Sequence, residues 1–195
     1  MERLRKQIDF ILELDKMKKV IRQTYLADGS RKENDAEHTW HLAMMCLILS
    51  EYANEKMDPC KAMELVLVHD LVEIYAGDTY AYDEEGNKGK EEREAEAAKK
   101  IFGMLPEDQG RWMKDLFDEF EEGITMESKF ANTLDKIQPI LLNDASDGRS
   151  WREHQVYVEQ VLNRNKKTKD GSEKLWEYAK EIIDSNVMKG NLIKG

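Results

Sequence analysis

The 195-residue chain has only two cysteines, three prolines and four histidines. Cys46 and Cys60 form no C-x-x-C pair, which excludes a zinc knuckle or dithiol motif and leaves both as reduced, semi-buried core residues. No Gly-rich phosphate loop occurs, and the G-D-T and D-E-E-G-N stretches do not fit a calcium loop. The opening MERLRKQIDFILELDKMKKV has no signal-peptide core and no membrane-length apolar run. No membrane partner and a cytoplasmic location are therefore expected. No repeat, low-complexity linker or useful strand-like alternation is found, so one domain over 1–195 is the expectation.

What is present favours helices. The chain is 41% hydrophobic and 36% charged, a balance suited to apolar stripes backed by solvated faces. Its net charge of −10 and pI of about 5.0 disfavour a nucleic-acid polymer as partner. A small anion is not disfavoured, since a divalent cation and a few basic side chains can reverse the potential inside one cleft.

Leu4, Ile8, Ile11, Leu12, Val20 and Ile21 predict a first helix from Glu2 to about Gln23, interrupted at Asp15. A D-G-S turn follows, then Asn34 and Glu37 offer a capping box for a second helix to about Glu55. Asp58-Pro59 opens the third, KAMELVLVHDLVEIYA, which is apolar nearly all round and belongs at the centre of an all-α bundle. Further helices are expected over 90–103, from Pro106 to Gly123, from Thr125 with a kink at Pro139, over 153–167 after a Ser150/Glu153 cap, and over 172–188. The stretch before residue 90 reads as a surface loop, and Lys88, Lys90 and Arg93 as a solvated helix start.

The informative conflict is His69, Asp70 and Glu73 inside that apolar third helix, where polar groups are costly unless paired or metal-bound. His69 and Asp70 lie about 100° apart around a helix and can share an ion only over the sector between them. His38 and Asp135 are the obvious further donors on other helices. Two His and two Asp suit a borderline divalent ion such as Mn, Fe, Co, Ni or Zn. Water at an open position would have its pKa drawn from 15.7 towards roughly 7–9 and become a nucleophile. Glu73 shares the helix face of His69 and Asp70 and could orient or deprotonate that water.

The order E-H, then H-D-x-x-E in an apolar helix, then a later L-D-K resembles the HD-domain superfamily of metal-dependent phosphohydrolases over about residues 20–145. RKENDAEHTWHLA (31–43), LVHDLVEIYAGDTYA (67–81) and LDKIQP (134–139) are most similar to its small 5′-deoxynucleotidase group. That resemblance implies a homodimer and one divalent ion, Mg among the candidates, held by His38, His69, Asp70 and Asp135. It implies that Glu73 handles the water or leaving group, that Asp78 meets the sugar, and that Arg22 orients the phosphate. Arg22 lacks the tryptophan that follows it in some relatives, and Tyr25 is the aromatic nearest to hand. His38, Asp78, Thr79, Tyr80 and Asp135 complete the expected substrate contacts, while His41 and His154 are set aside. The absence of histidine between Asp70 and Asp135 points to a single metal. Two rivals stay open: the same fold acting on another nucleotide or phosphoester, and a non-catalytic module that the metal staples.

Overall fold

The computed structural model describes residues 1–83 and 85–195; the expected loop before residue 90 includes Glu84, which lies outside them. Among the described residues the architecture is all-α apart from one hairpin. Helix α1 (Glu2–Leu14) stops at the Asp15 interruption and passes into a 3-10 turn, Asp15–Lys19. The chain then extends at Val20, and Ile21–Tyr25 forms β1, antiparallel to β2 (Lys32–Asn34). The predicted helix to Gln23 thus gives way to a 3-10 turn at Asp15 and is wrong from Val20 onward. Two consecutive β-branched residues, Val20 and Ile21, favour extended backbone once α1 has ended. Along β1 the side chains of Arg22 and Thr24 turn inward.

Helix α2 (Asp35–Leu49) begins at the predicted capping box, with Glu37 N–H donating to Asn34 Oδ1 (3.0 Å) and Asn34 N–H to Glu37 Oε2 (3.1 Å). Helix α3 (Pro59–Val68) is capped by Asp58, whose Oδ1 accepts from Cys60 N–H at 2.9 Å. The apolar third helix does not stay α-helical: His69–Val72 tightens into a 3-10 turn before α4 (Glu73–Ala76). Gly77, at φ 77°, then turns the chain away in a conformation that disfavours a Cβ.

Next come α5 (Lys90–Phe102), α6 (Glu107–Glu122) and α7 (Met126–Ala145). Helix α7 packs against α2, α3 and α6, and continues through Pro139 as one helix. The predicted helix over 153–167 divides into α8 (Arg149–Glu153) and α9 (Val158–Arg164), because the chain turns at Gln155 with φ 50°. Ser150 is buried within α8 and caps nothing. Short α10 (Thr168–Gly171) lies against α7, and α11 (Glu173–Lys189) closes the bundle. One cluster of buried apolar side chains runs from Phe10 to Leu192, with Leu42, Leu65, Phe130 and Leu134 fully enclosed. Cys46 lies in it, but Cys60 is exposed in the first turn of α3, contrary to expectation. Among the described residues no helix is long and apolar enough to cross a membrane.

Candidate metal centre

Four elements converge beside α7. The hairpin supplies Arg22 and Glu33, the first turns of α2 supply Asp35 and His38, the 3-10 turn supplies His69 and Asp70, and α7 supplies Asp135. His38 Nε2 lies 3.2 Å from Asp135 Oδ1 and 3.8 Å from Asp70 Oδ2. His69 Nε2 lies 3.0 Å from Asp70 Oδ1 and 3.7 Å from Asp135 Oδ1. One donor atom from each of His38, His69 and Asp135 falls within 4.8 Å of the others, so the three can reach a common ion.

The fit of a cation can be judged from His69. Its Nδ1 hydrogen-bonds the Val66 carbonyl at 2.8 Å, which must accept, so Nδ1 carries a proton. In the neutral ring Nε2 is then a lone pair, buried, without a hydrogen-bond partner and aimed at two carboxylate oxygens. That arrangement is repulsive unless a positive charge lies between, and a carbonyl holding the remote nitrogen is the usual support for a metal-bound histidine. Burial alone would lower the His69 pKa, yet Asp70 and Asp135 raise it to about 10. Asp70 and Asp135 are both held below the ordinary carboxylate range against the opposing effect of burial, Asp70 mainly by His69 and Arg22, Asp135 mainly by the two histidines. The pocket selects for a cation, and its N/O donor set suits a borderline divalent ion.

Beside these donors lies a second carboxylate group. Asp35, Asp70 and Glu73 come within 4.8 Å of one another. Arg22 is wedged among them, its Nη1 donating to Asp70 Oδ2 (2.8 Å) and Asp35 Oδ1 (3.2 Å), with Glu33 3.7 Å from Nε. Asp35 has no exposure at all, and burial plus Asp70 push its carboxyl up to about 7 despite Arg22. Burial, Asp70 and Asp35 likewise raise Glu73 well above its ordinary value, and its Oε2 has no partner. Asp78 is raised chiefly by burial.

A cleft of about 170 Å³ opens onto this centre, lined by Arg22, His69, Asp70, Glu73, Asp78, Thr79 and Asp135 of the predicted set. His38 sits beneath it, fully buried. Tyr80 is not in the cleft; it lines a smaller adjoining cavity and lies against exposed His154, ring centroids 4.3 Å apart and the rings tilted by 36°. His41 faces Gln138 rather than the donors. Lys90, Glu94, Glu121, Lys136 and Arg164 also line the cleft; the sequence reads Lys90 as solvated, and sequence reasoning passed over the other four. Lys90 departs from the solvated helix start expected of it, its ammonium pairing with Glu94 at 3.3 Å within the cleft. Glu33 and Asp35 were missed too, although an acidic pair flanking the Asn34 cap, five and three residues before His38, is an available signal.

Residues 14–176 match the family described as HD domain. The chain belongs to the HD-domain family. Among solved structures, a predicted metal-dependent phosphohydrolase from Magnetospirillum magnetotacticum MS-1 is 43% identical and superposes with a TM-score of 0.93, covering 97% of this chain and 95% of that one. The human and bovine 5′-deoxynucleotidases HDDC2 are 29% and 30% identical over 138 residues, 70% of this chain. The match spans 66% of the length of these two curated relatives.

Proposed function

We propose that this HD-domain protein removes phosphate from (deoxy)nucleoside 5′-monophosphates, with one divalent ion held by His38, His69, Asp70 and Asp135. The observation that carries the reading is the buried His69 Nε2 facing two carboxylates, beside a spare buried carboxylate at Glu73. A purely structural metal site is closed and has no use for such a neighbour. The HDDC2 relatives are named for this substrate class and support its choice.

When bound, the ion supplies Lewis-acid polarisation of the phosphoryl group and makes water more acidic. Glu73 Oε2 takes a proton from the attacking water, a task suited to a carboxylate made more basic by burial and by its acidic neighbours Asp70 and Asp35. Asp78 and Thr79, just beyond the Gly77 turn, face the sugar and the leaving oxygen, and Tyr80 borders the space beyond. Arg22 holds Asp70 and Asp35 in place at the phosphate end of the cleft. Phe120, its ring 4.7 Å from that of His69, keeps water from the back of the site.

The chain works, in this reading, as one domain in the cytoplasm and as a homodimer. Support for the dimer comes from apolar faces left uncovered on two helices: Leu4, Ile8, Ile11 and Leu12 on α1, and Trp40, Met44, Leu47 and Ile48 on α2, each spaced i, i+4, i+7, i+8.

The test is a product assay with the full chain and added Mn²⁺ or Co²⁺ across deoxy- and ribonucleoside mono- and triphosphates. Phosphate release from monophosphates is expected, and Glu73→Gln should lose about 10²–10⁴-fold in turnover while keeping its metal. Pyrophosphate release from triphosphates alone, or full activity in Glu73→Gln, would overturn the reading.

A further inference from the structure

A phosphate dianion approaching this cleft meets Asp70, Glu73, Asp78, Glu94, Glu121 and Asp135. Some positive charge must be left over to receive it, and the cations differ in how far they are already offset. Arg22 is surrounded by Asp70, Asp35 and Glu33 at 2.8, 3.2 and 3.7 Å. It is a counter-ion to buried carboxylates and carries no surplus charge to offer. Lys90 is paired with Glu94.

Lys136 and Arg164 are different. Among the described residues neither has a carboxylate oxygen within 4 Å, whereas the other two cleft cations do. Both line the metal cleft of about 170 Å³, the side cavity of about 60 Å³ and an outer cavity of about 570 Å³. They therefore stand where the three spaces meet. Lys136 follows Asp135 on α7, and Arg164 ends α9. Half-buried Lys136 and exposed Arg164 are like charges brought to one cavity without a counter-ion, and an anion between them relieves the repulsion.

We propose that Lys136, with Arg164 beside it, receives the phosphate dianion of the substrate as it passes from the outer cavity to the metal cleft. This assignment rests on the nucleoside monophosphate reading above and names the positioning cations that reading lacks. It leaves Arg22 as the clamp on Asp70 and Asp35.

The test is calorimetric titration of inorganic phosphate into the full-length, Co²⁺-loaded protein, with metal content measured separately. Phosphate binding needs no turnover, so it reports on the cation pair even if the chain hydrolyses no monophosphate. Losing one charge-assisted hydrogen bond should weaken phosphate binding about ten-fold or more in Lys136→Gln, with a smaller loss in Arg164→Gln. Lys136→Arg should recover most of it, and with a monophosphate substrate Lys136→Gln should raise KM more than it lowers kcat. Phosphate affinity within about two-fold of the wild type in both Gln variants would overturn the proposal. So would joint loss of metal and phosphate in Lys136→Gln while Arg164→Gln binds phosphate normally, because Lys136 would then act through Asp135. Arg164 is exposed at the end of a helix, so its variant is informative even where Lys136→Gln folds poorly.

Discussion

Replacing Arg22 by methionine keeps the length of the side chain and removes its charge from among Asp70, Asp35 and Glu33. Breaking a buried pair by deleting one partner costs about 3–5 kcal/mol, because the other charge is left uncompensated. Asp70 keeps His69 at 3.0 Å, so the uncompensated charge falls mainly on Asp35, which has no exposure and an unpartnered Oδ2. At this chain length 1 kcal/mol corresponds to about 2–4 °C in Tm, so the expected drop is about 6–20 °C. The loss also has a pH signature. The folded-state pKa of Asp35 is about 7, above its ordinary value, so the folded protein holds an extra proton there and this group's contribution to stability falls as pH rises towards 7. Without Arg22 the pKa rises further. The variant should therefore lose more relative to wild type at pH 8 than at pH 5.5, where Asp35 is neutral in both. Differential scanning calorimetry of metal-free protein at the two pH values reads this directly. A Tm within about 2 °C of wild type at pH 8, or a larger loss at pH 5.5, would refute the buried-counter-ion argument.

His69→Ala should abolish stoichiometric metal binding by elemental analysis and remove the Tm increase that added Co²⁺ gives the wild type; retained metal would refute the donor assignment. Gly171→Ala places a Cβ 2.4 Å from the Lys129 carbonyl and 2.4 Å from Thr133 Oγ1. It should force α10 away from α7 at a cost of about 1–3 kcal/mol, checked by urea unfolding. Ile48→Glu, on the uncovered face of α2, should convert a dimer to a monomer in analytical ultracentrifugation without altering metal content; an unchanged sedimentation coefficient would place the interface elsewhere.

The helix boundaries that sequence shows best are those with a local chemical cause. Asn34 with Glu37, Asp58 before Pro59, and Thr125 all cap where their side chains predict, because each bond closes within three residues. The donors were legible for a related reason: His69 and Asp70 stand out as a polar pair in an apolar helix, and His38 and Asp135 are among very few partners available. The hairpin was not legible, since strands of five and three residues give too short an alternation to register, and its stability comes from docking Arg22 onto groups far along the chain. The 3-10 turn at His69–Val72 was missed because composition there reads as uninterrupted helix. Lys136 and Arg164 look like ordinary helix-surface cations until folding brings α7 and α9 to one cavity.

The hairpin also sets an order of events. Arg22 and Asp35 are 13 residues apart, Arg22 and Asp70 48, and His38 and Asp135 97. Loop closure favours the shortest of these first. The clamp can then assemble early, and the donors on α2 and α7 meet only when the long excursion through α5 and α6 has closed. Metal captured during refolding would thus arrive late and accelerate little, but it would slow the reverse step by tying together the two segments that must part first.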